Sequence, residues 1–265
     1  KSQHNPVVQG PPGGVTQTDF RDPYVWQEDG VWKMVMGAGL ENGEGAVLLY
    51  QSTDLIDWEY LGPLFADHQG DSVQMWECPN FFPLGDRYVL LVSLFPNVLG
   101  VYYYVGEYDG RTFWPQREGY LSESPFFYAP QVRRLKDDRT ILMGWLLEGR
   151  QEEALLAAGW AGVQSLPRAL SLDEDGRLAS RPIREIQSLR KDEYQIPIIN
   201  LEAGERKRIP VTGRHLEIEL KLKPGTAGLR LDLLASPDGM EKTSLTLKAK
   251  DNKLELDLGE SNRSG

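Results

Sequence analysis

The sequence predicts an all-β protein, and three observations support that prediction. Short runs rich in Val, Leu, Tyr and Trp alternate with Gly, Asp, Asn and Pro, as in strands joined by turns. Helical periodicity is weak along the chain, and the best helix candidate, residues 148–159, can also be a loop excursion. When the apolar runs are aligned with one another, they also form a repeat.

The repeat has three units of four predicted strands. The first unit opens with RDPYVW, the second with ECPNFFPL and the third with YAPQVRRL. The prolines of these openings, Pro23, Pro79 and Pro130, are 56 and 51 residues apart. Propeller blades of the kelch type repeat at about 50 residues. The sequence therefore predicts four-stranded blades arranged around a central channel.

The later strands of each unit follow the opening strand in a constant order. The first unit continues with VWKMVMGAG, GAVLLYQSTDL and DWEYLGPLF, and the second with DRYVLLVSLFP, GVYYYVGEYDG and RTFWPQ. The third continues with RTILMGWLLEG, WAGVQSLPRALSL and GRLASRPI. Each unit is therefore predicted to supply one complete four-stranded blade.

The pattern changes after about Arg190. Residues 215–223, 228–236 and 244–259 alternate strictly between apolar and polar side chains, which is typical of strands with one buried face and one solvated face. Asp238-Gly239 and Asp251-Asn252 supply turn residues. We expect residues 1–190 to form the propeller domain and residues 191–265 to form the start of a C-terminal β-sandwich.

Composition and charge narrow the classes of partner. The 265 residues carry a net charge of −10, which argues against nucleic acid as a partner and suits a neutral sugar or other small molecule. No apolar run approaches the roughly 18 residues of a membrane span, so no membrane partner is expected. Oligomeric state and localisation are left open.

Cysteine and histidine usage predicts neither a disulfide nor a metal site. Cys78 is the sole cysteine of the sequence, which excludes an internal disulfide, and it is expected to be a small buried hydrophobic residue. The three histidines share no ligand spacing, so no metal or other cofactor is predicted; they are His4, His68 and His215.

The three opening strands carry candidate functional residues. In a propeller these strands line the channel, and here they bear Asp22, Glu77 and Tyr128, each directly before a proline or one residue further back. Because proline disfavours helix in the preceding residue, we expect an extended backbone at these positions. The repeat would then place two carboxylates on adjacent blades, facing one pocket.

Two carboxylates in a sugar-sized pocket suggest glycoside hydrolysis. The retaining route places a nucleophile and an acid/base about 5–5.5 Å apart, and the inverting route leaves a wider gap for water. Glu77 fits the acid, because Trp76, Phe81 and Phe82 predict the apolar setting that keeps such a group protonated. Asp22, next to Arg21, fits a group that grips sugar hydroxyls or stabilises positive charge.

Each carboxylate also has a structural interpretation. Taken alone, the Asp22-Pro23 pair is typical of a turn, and a glutamate such as Glu77 within an apolar run is typical of a paired or edge-strand residue. The shared register of the two residues in successive repeats favours the functional interpretation.

These segments together resemble a known family. The motifs FRDPYVW, WECPNFF, FYAPQ, ILMGW and SLPRAL occur in one order and resemble glycoside hydrolase family 32, the invertases, levanases and inulinases, over residues 4–190. The resemblance implies a five-bladed β-propeller followed by a β-sandwich, of which about three blades are covered here. It also implies retaining hydrolysis of terminal β-D-fructofuranosides such as sucrose or fructans.

The resemblance assigns roles to individual residues. Glu77 matches the general acid/base of the family's EC motif, and Asp22 matches the transition-state stabiliser of its RDP motif. Arg21 precedes that stabiliser and is expected to face the substrate. The remaining substrate-binding positions are aromatic: Tyr128, Trp145 and Trp76.

Two departures from the family pattern qualify that assignment. The family's nucleophile is an aspartate in an NDPNG-type motif, and no such motif occurs in this sequence. We therefore expect a fragment that lacks the N-terminal blades and part of the sandwich, or a chain completed by another. Second, LSESPFFYAPQ stands where the family has LDxGxDFYAPQ, so Ser122 and Phe126 replace acidic residues, with Glu123 as a substitute for one.

Other functions remain open at this point. Without its nucleophile the chain could bind fructosides and not hydrolyse them. Five-bladed glycosidases of arabinosides or xylosides also arrange carboxylates in a propeller channel. Fructosyl transfer competes with hydrolysis within the family, because water and a sugar compete for one covalent intermediate. The sequence does not choose among sucrose, sucrose phosphate, inulin and levan.

Overall fold

The computed structural model confirms an all-β fold. It describes residues 3–68, 73–96, 100–122, 126–223, 225–226 and 228–261. By contact the chain divides into two compact units, one formed by Lys1–Gly149 with Ala161–Ser188 and the other by Arg150–Trp160 with Leu189–Gly265. Within the described ranges, no helix is long and apolar enough to span a lipid bilayer.

Two four-stranded antiparallel sheets begin the first unit, and the strands of each pair in chain order. The first sheet consists of β1 (Val15–Glu28), β2 (Val31–Leu40), β3 (Gly45–Ser52) and β4 (Glu59–Asp67). The second consists of β5 (Val73–Leu84), β6 (Arg87–Pro96), β7 (Val101–Tyr108) and β8 (Phe113–Ser122). These are the first two predicted blades, with RDPYVW and ECPNFFPL on their opening strands.

The third sheet follows the same plan with one interruption. Its strands are β9 (Phe127–Arg134), β10 (Thr140–Leu146), β11 (Val163–Gln164), β12 (Arg168–Leu172) and β13 (Leu178–Pro182). Both β11 and β12 pair with β10, so together they form the third strand of the blade. The helix α1 (Glu152–Ala158) lies in the excursion between β10 and β11, which confirms the helix candidate at residues 148–159.

Apolar contacts join the three sheets of the first unit. One buried cluster combines Val35 and Leu49 of the first sheet with Phe81 and Tyr104 of the second. A second cluster continues from the second sheet to the third, where it includes Phe127, Leu142 and Leu170. Because the second sheet is buried on both faces, its opening strand is held between those of its neighbours.

Two glycines allow β5 to approach the first sheet closely. A Cβ atom on Gly37 of β2 would lie 2.2 Å from the carbonyl oxygen of Trp76, and one on Gly39 would lie 2.3 Å from that of Gln74. Real Cβ atoms do not come so near to backbone atoms, so only glycine fits at these two positions. The GAG sequence of β2 thereby sets how closely β5 lies to β1 and β2.

The residue before each opening proline adopts a left-handed conformation. The φ angles are 64° at Asp22, 47° at Cys78 and 47° at Ala129. At each place the strand register slips, which is the mark of a β-bulge. The expected extended backbone is therefore wrong at Asp22, whereas Glu77 and Tyr128 lie in the strand ladder. Each bulge leaves the left-handed residue and the following proline outside the ladder, where proline's missing N–H costs nothing.

The second unit contains one three-stranded antiparallel sheet in the described residues. Its strands are β14 (Gly228–Leu233), β15 (Thr243–Lys248) and β16 (Lys253–Asp257). The left-handed conformations of Gly239 (φ 70°) and Asn252 (φ 49°) confirm the two predicted turns.

The strand predicted at residues 215–223 is wrong, because that segment has no strand structure. Its alternating sequence predicts one apolar and one polar side of a strand. A strand also needs a neighbouring strand to pair with its backbone N–H and C=O groups, and no described strand pairs with this segment. The division into two domains near residue 190 stays a prediction.

Candidate active site

Three side chains occupy one equivalent position in the opening strands. Arg21, Glu77 and Tyr128 are each the last ladder residue before the bulge, where they pair with Gly37, Ser93 and Trp145 respectively. Asp22 lies one position later, in line with Cys78 and Ala129. The expected shared register of Asp22 and Glu77 is therefore wrong by one residue, although the fold still brings the two together.

The carboxylate of Glu77 accepts hydrogen bonds on both oxygens. Its Oε1 accepts from Arg21 Nε at 2.9 Å and from Arg21 Nη2 at 2.7 Å. Its Oε2 accepts from Tyr128 Oη at 2.5 Å. The donors come from the blades on either side, so the carboxylate is fixed in orientation from both directions, with its side chain 14% exposed.

Arg21 is itself held in place by three further contacts. Its Nη1 donates to the backbone oxygen of Thr18 at 2.9 Å and lies 3.8 Å from Asp19 Oδ1, and its guanidinium stacks 5.1 Å from the centre of the Phe95 ring. Among the described contacts, none joins Arg21 to its neighbour Asp22. Arg21 donates hydrogen bonds to Glu77 instead, because the side chains of Arg21 and Asp22 point in different directions at the bulge.

Asp22 is fixed against the residue that follows Glu77. Its Oδ2 accepts a hydrogen bond from the backbone N–H of Cys78 at 3.0 Å, and the Cys78 thiol lies 3.5 Å from the same oxygen. The N–H of Cys78 is left without a ladder partner by the bulge, so the carboxylate also satisfies the backbone. The carboxylates of Asp22 and Glu77 therefore both lie near the peptide bond that joins Glu77 to Cys78.

Cys78 differs from the expected buried hydrophobic residue, since it is only partly buried and contacts a carboxylate. Burial, followed by the negative charge of Asp22, raises the pKa of its thiol to about 12. The thiol therefore stays protonated at neutral pH and is a poor nucleophile there.

Tyr128 is almost fully buried, with 6% of its surface exposed. Burial, and then its hydrogen bond to the negative charge of Glu77, raises the pKa of the phenol well above its usual value. The phenol consequently remains a hydrogen-bond donor throughout the physiological pH range. It also lies 3.3 Å from the backbone oxygen of Leu94, on the strand next to Glu77.

Trp76 does not face the site. It is fully buried and packs against the rings of Phe65 and Tyr104, with centroids 5.8 and 5.5 Å away. Phe81 and Phe82 also belong to the buried clusters between the sheets. Substrate binding by Trp76 and an apolar setting for Glu77 are therefore both wrong, because the aromatic side chains fill the core and polar groups flank the carboxyl.

Trp145 remains accessible beside the site. It is 47% exposed and pairs with Tyr128 in the ladder between β9 and β10. Phe126, which replaces an acidic residue of the family pattern, is 37% exposed and begins the approach to β9. Ser122 ends β8, whereas Glu123 lies outside the described residues.

Comparison with known protein families assigns this chain to a family. A family model described as "Glycosyl hydrolases family 32 N-terminal domain" matches residues 1–182. The chain belongs to glycosyl hydrolase family 32. The matched residues include the cluster of Arg21, Glu77 and Tyr128, which lies on the opening strands of three sheets.

Curated relatives agree with the family assignment. The chain is 37% identical over 196 residues to raffinose invertase of Escherichia coli, an alignment that covers 69% of this chain and 40% of the relative. It is 34% identical over 273 residues to sucrose-6-phosphate hydrolase of Zymomonas mobilis, covering 93% of this chain and 51% of the relative. The chain thus spans about half the length of the curated relatives it matches.

Solved structures of family 32 proteins have a similar fold. The Bombyx mori GH32 beta-fructofuranosidase BmSUC1 superimposes with a TM-score of 0.73 at 27% identity, over 97% of this chain and 57% of the other. Fructan 1-exohydrolase IIa from Cichorium intybus gives a TM-score of 0.72 at 25% identity, over 99% of this chain and 60% of the other.

Sequence reasoning missed two buried polar groups beside the cluster of Arg21, Glu77 and Tyr128. Asn80 and Ser93 are fully buried and bind the bulge of β9. The signal for Asn80 was a lone amide inside the apolar run CPNFFPL, because a buried polar side chain needs partners. Among the described residues no group of three His, Cys, Asp or Glu side chains could hold a metal ion.

Proposed function

We propose that this chain is the part of a β-fructofuranosidase that supplies the acid/base and the stabilising carboxylate. The full site would release terminal β-D-fructofuranosyl residues from sucrose or fructans with retention of configuration. One observation carries the proposal: the Glu77 carboxylate is oriented by Arg21 and Tyr128 while Asp22 is fixed against the next residue. Residues 1–190 would form its propeller domain, and residues 191–265 would begin its sandwich.

Glu77 would move the proton in both half-reactions. In the first, its carboxylic acid protonates the oxygen that leaves the fructosyl carbon, as a nucleophile displaces that oxygen. In the second, the resulting carboxylate takes a proton from water, which attacks the same carbon and releases the nucleophile. The nucleophile would be an aspartate that these residues do not supply by motif.

The residues around Glu77 would bind the sugar and hold the Glu77 carboxyl group in position. Asp22 uses Oδ2 for Cys78, so its Oδ1 would accept from fructose hydroxyls and oppose the positive charge of the transition state. Arg21 and Tyr128 would bind the sugar's edge while they orient Glu77. Trp145, which is exposed beside Tyr128, would offer an aromatic face to the sugar or its leaving group.

The names of the similar proteins support this substrate class. They include raffinose invertase, sucrose-6-phosphate hydrolase and a plant beta-fructofuranosidase of Oryza sativa. A variant of the Bombyx mori enzyme, 27% identical to this chain, was solved in complex with sucrose. In this chain, the cluster of Arg21, Glu77 and Tyr128 would bind such a sugar.

The test compares fructose release and fructose binding in matched variants. Glu77→Gln removes the acid and keeps the shape, and Glu107→Gln is the control, because Glu107 lies exposed on β7 and binds Arg87. In the full-length protein, which would carry the nucleophile, we expect fructose release from sucrose to fall by about 10²–10⁴-fold in Glu77→Gln and to stay unchanged in the control. Equal release by the two variants would remove Glu77 from the mechanism.

Binding without turnover is the second candidate, favoured by the missing NDPNG-type motif. It predicts heat of fructose binding in calorimetry, weakened by Asp22→Asn, with no fructose released by the unchanged chain. Release of arabinose or xylose from their glycosides would point to a pentosidase. Transfer of fructose from sucrose to a second sucrose would point to a fructosyltransferase.

A further inference from the structure

Asn80 is a buried amide with a complete set of partners. It follows Pro79 on β5, its side chain is 0% exposed, and apolar residues follow it in the sequence. Burying an amide is unfavourable unless its donor and acceptor groups are satisfied. Here the nitrogen donates twice and the oxygen accepts once, so the contacts of this side chain account for its burial.

The three hydrogen bonds of Asn80 join the bulges of two blades. Nδ2 donates to the backbone oxygen of Cys78, on its own strand, and to that of Pro130 on β9, each at 2.9 Å. Oδ1 accepts from the backbone N–H of Val132, also on β9, at 2.9 Å. One side chain thus satisfies backbone groups in the two bulges and on the edge of β9 that faces β5.

These bulges lie directly beside the Glu77–Tyr128 contact. Glu77 precedes Cys78 by one residue, and Tyr128 precedes Pro130 by two. A shift of either bulge would therefore move one end of the 2.5 Å hydrogen bond. Ser93 makes a separate contact to β9, since its Oγ accepts from the N–H of Ala129 at 3.1 Å.

We propose that Asn80 is a positioning residue that fixes the separation of β5 and β9 at which Tyr128 donates to Glu77. It acts on the site through the backbone and touches neither carboxylate. The proposal rests on the proposed function only in giving Glu77 a chemical role. Its geometric part can be tested in this chain whether or not the chain hydrolyses a fructoside.

The experiment follows Tyr128 directly by NMR. The chain is labelled with [¹³Cζ]tyrosine, and the resonance of Tyr128 is assigned as the one lost in Tyr128→Phe. Asn80→Ser shortens the side chain and Asn80→Asp replaces the amide NH₂ by an oxygen, so each removes the two hydrogen bonds that Asn80 Nδ2 donates. If only one of the two variants folds, that variant is enough for the test. Ser52→Ala is the control, because Ser52 is a buried polar residue of the first sheet that caps a turn within that sheet.

We expect the Tyr128 resonance to move toward that of a tyrosine without a carboxylate partner in each folded Asn80 variant, and to stay fixed in Ser52→Ala. We also expect Ser93→Ala, with Asn80 intact, to move it less than the Asn80 variants do, because Ser93 makes one hydrogen bond to β9. A fixed Tyr128 resonance in a folded Asn80 variant would overturn the proposal. A larger shift in Ser93→Ala than in the Asn80 variants would likewise overturn it, because Ser93 would then set the separation.

Loss of a structural hydrogen bond alone would lower the melting temperature without moving the Tyr128 resonance, so the two roles are separated. Calorimetry with fructose adds an independent measurement. If the proposed function fails because the chain has no fructose site, fructose does not bind, and the resonance still reports on Asn80. If the positioning proposal fails, fructose binding is unchanged in the Asn80 variants while Tyr128 stays in place.

Discussion

Each oxygen of the Glu77 carboxylate accepts hydrogen bonds from a different neighbouring blade, Oε1 from Arg21 and Oε2 from Tyr128. A group that must both give and take a proton needs a fixed direction as well as a suitable acidity, and these contacts supply the direction. Sequence reasoning found Glu77 and Tyr128 two residues before an opening proline, and it found Arg21 through the family's RDP motif. It did not find their partners, since the X-Pro repeat reveals position along the chain but not where a side chain points.

The contact between Asp22 and Cys78 leads to a prediction about thiol reactivity. Because the thiol pKa is raised to about 12 by burial and by Asp22, little thiolate exists at pH 8. We expect iodoacetamide to alkylate Cys78 at least on the order of 10²-fold more slowly than an unperturbed thiol of pKa about 8.5. The time course is measured by intact mass.

Asp22→Asn tests the charge contribution to that slow reaction. Removal of the negative charge lowers the thiol pKa, so more thiolate forms and alkylation accelerates at constant pH. Asp137→Asn is the control, because Asp137 is paired with Arg139 on the surface and lies far along the chain. An unchanged rate in Asp22→Asn would show that its carboxylate does not act on Cys78.

At the level of elements, the bulges determine how the site is assembled. Each bulge takes one residue, Asp22, Cys78 or Ala129, and the proline after it out of the ladder. The N–H groups of Cys78 and Ala129 then donate to side chains of the preceding blade. Asp22 accepts the N–H of Cys78, and Ser93 accepts that of Ala129. The sequence predicted the opening strands from their turn residues. It could not predict the left-handed residues, because a bulge depends on pairing with a strand elsewhere in the chain.

Gly37 provides a test of how closely the first two blades must pack. In Gly37→Ala the new Cβ atom would meet the carbonyl oxygen of Trp76 at 2.2 Å, so β5 must move away from β2. We expect a loss of about 1–3 kcal/mol in the free energy of unfolding, measured by urea denaturation. Alkylation of Cys78 should also accelerate, because its contact with Asp22 is opened.

Gly10→Ala is the matched control for that substitution. Nothing lies within 4 Å of a Cβ atom at Gly10, so both the stability and the alkylation rate should stay unchanged. If Gly37→Ala behaves like Gly10→Ala, close packing at this glycine does not hold the blades together.

At the scale of the molecule, the sequence predicted the three blades well and the second unit only in part. The blades were predictable because each repeat contains all four of its strands, so local alternation and turns describe a complete sheet. Residues 215–223 alternate as strictly as β15, yet they form no strand. Alternation reports which side chains could share a face, whereas a strand also requires a neighbour at the correct register.

The long stretch at residues 190–213 should therefore be the first part of the described chain to be cut by a protease. It contains no strand or helix, and apart from Ile199 and Val211 its residues are exposed. Proteases need several residues of accessible, unpaired backbone. We expect trypsin to cleave first in this stretch, at Arg190, Lys191 or the basic run 206–208, as followed by mass spectrometry of a time course.

Arg133 and Arg134 are the internal control for that digestion, because their side chains are equally exposed but their backbone lies in the β9 ladder. They should survive until the stretch at 190–213 has been cut. The large product should also keep the slow alkylation of Cys78, since Asp22 and Cys78 both lie in the first unit. Early cleavage at Arg133 or Arg134 would mean that the third blade opens more readily than the strandless stretch, and that backbone pairing does not protect β9.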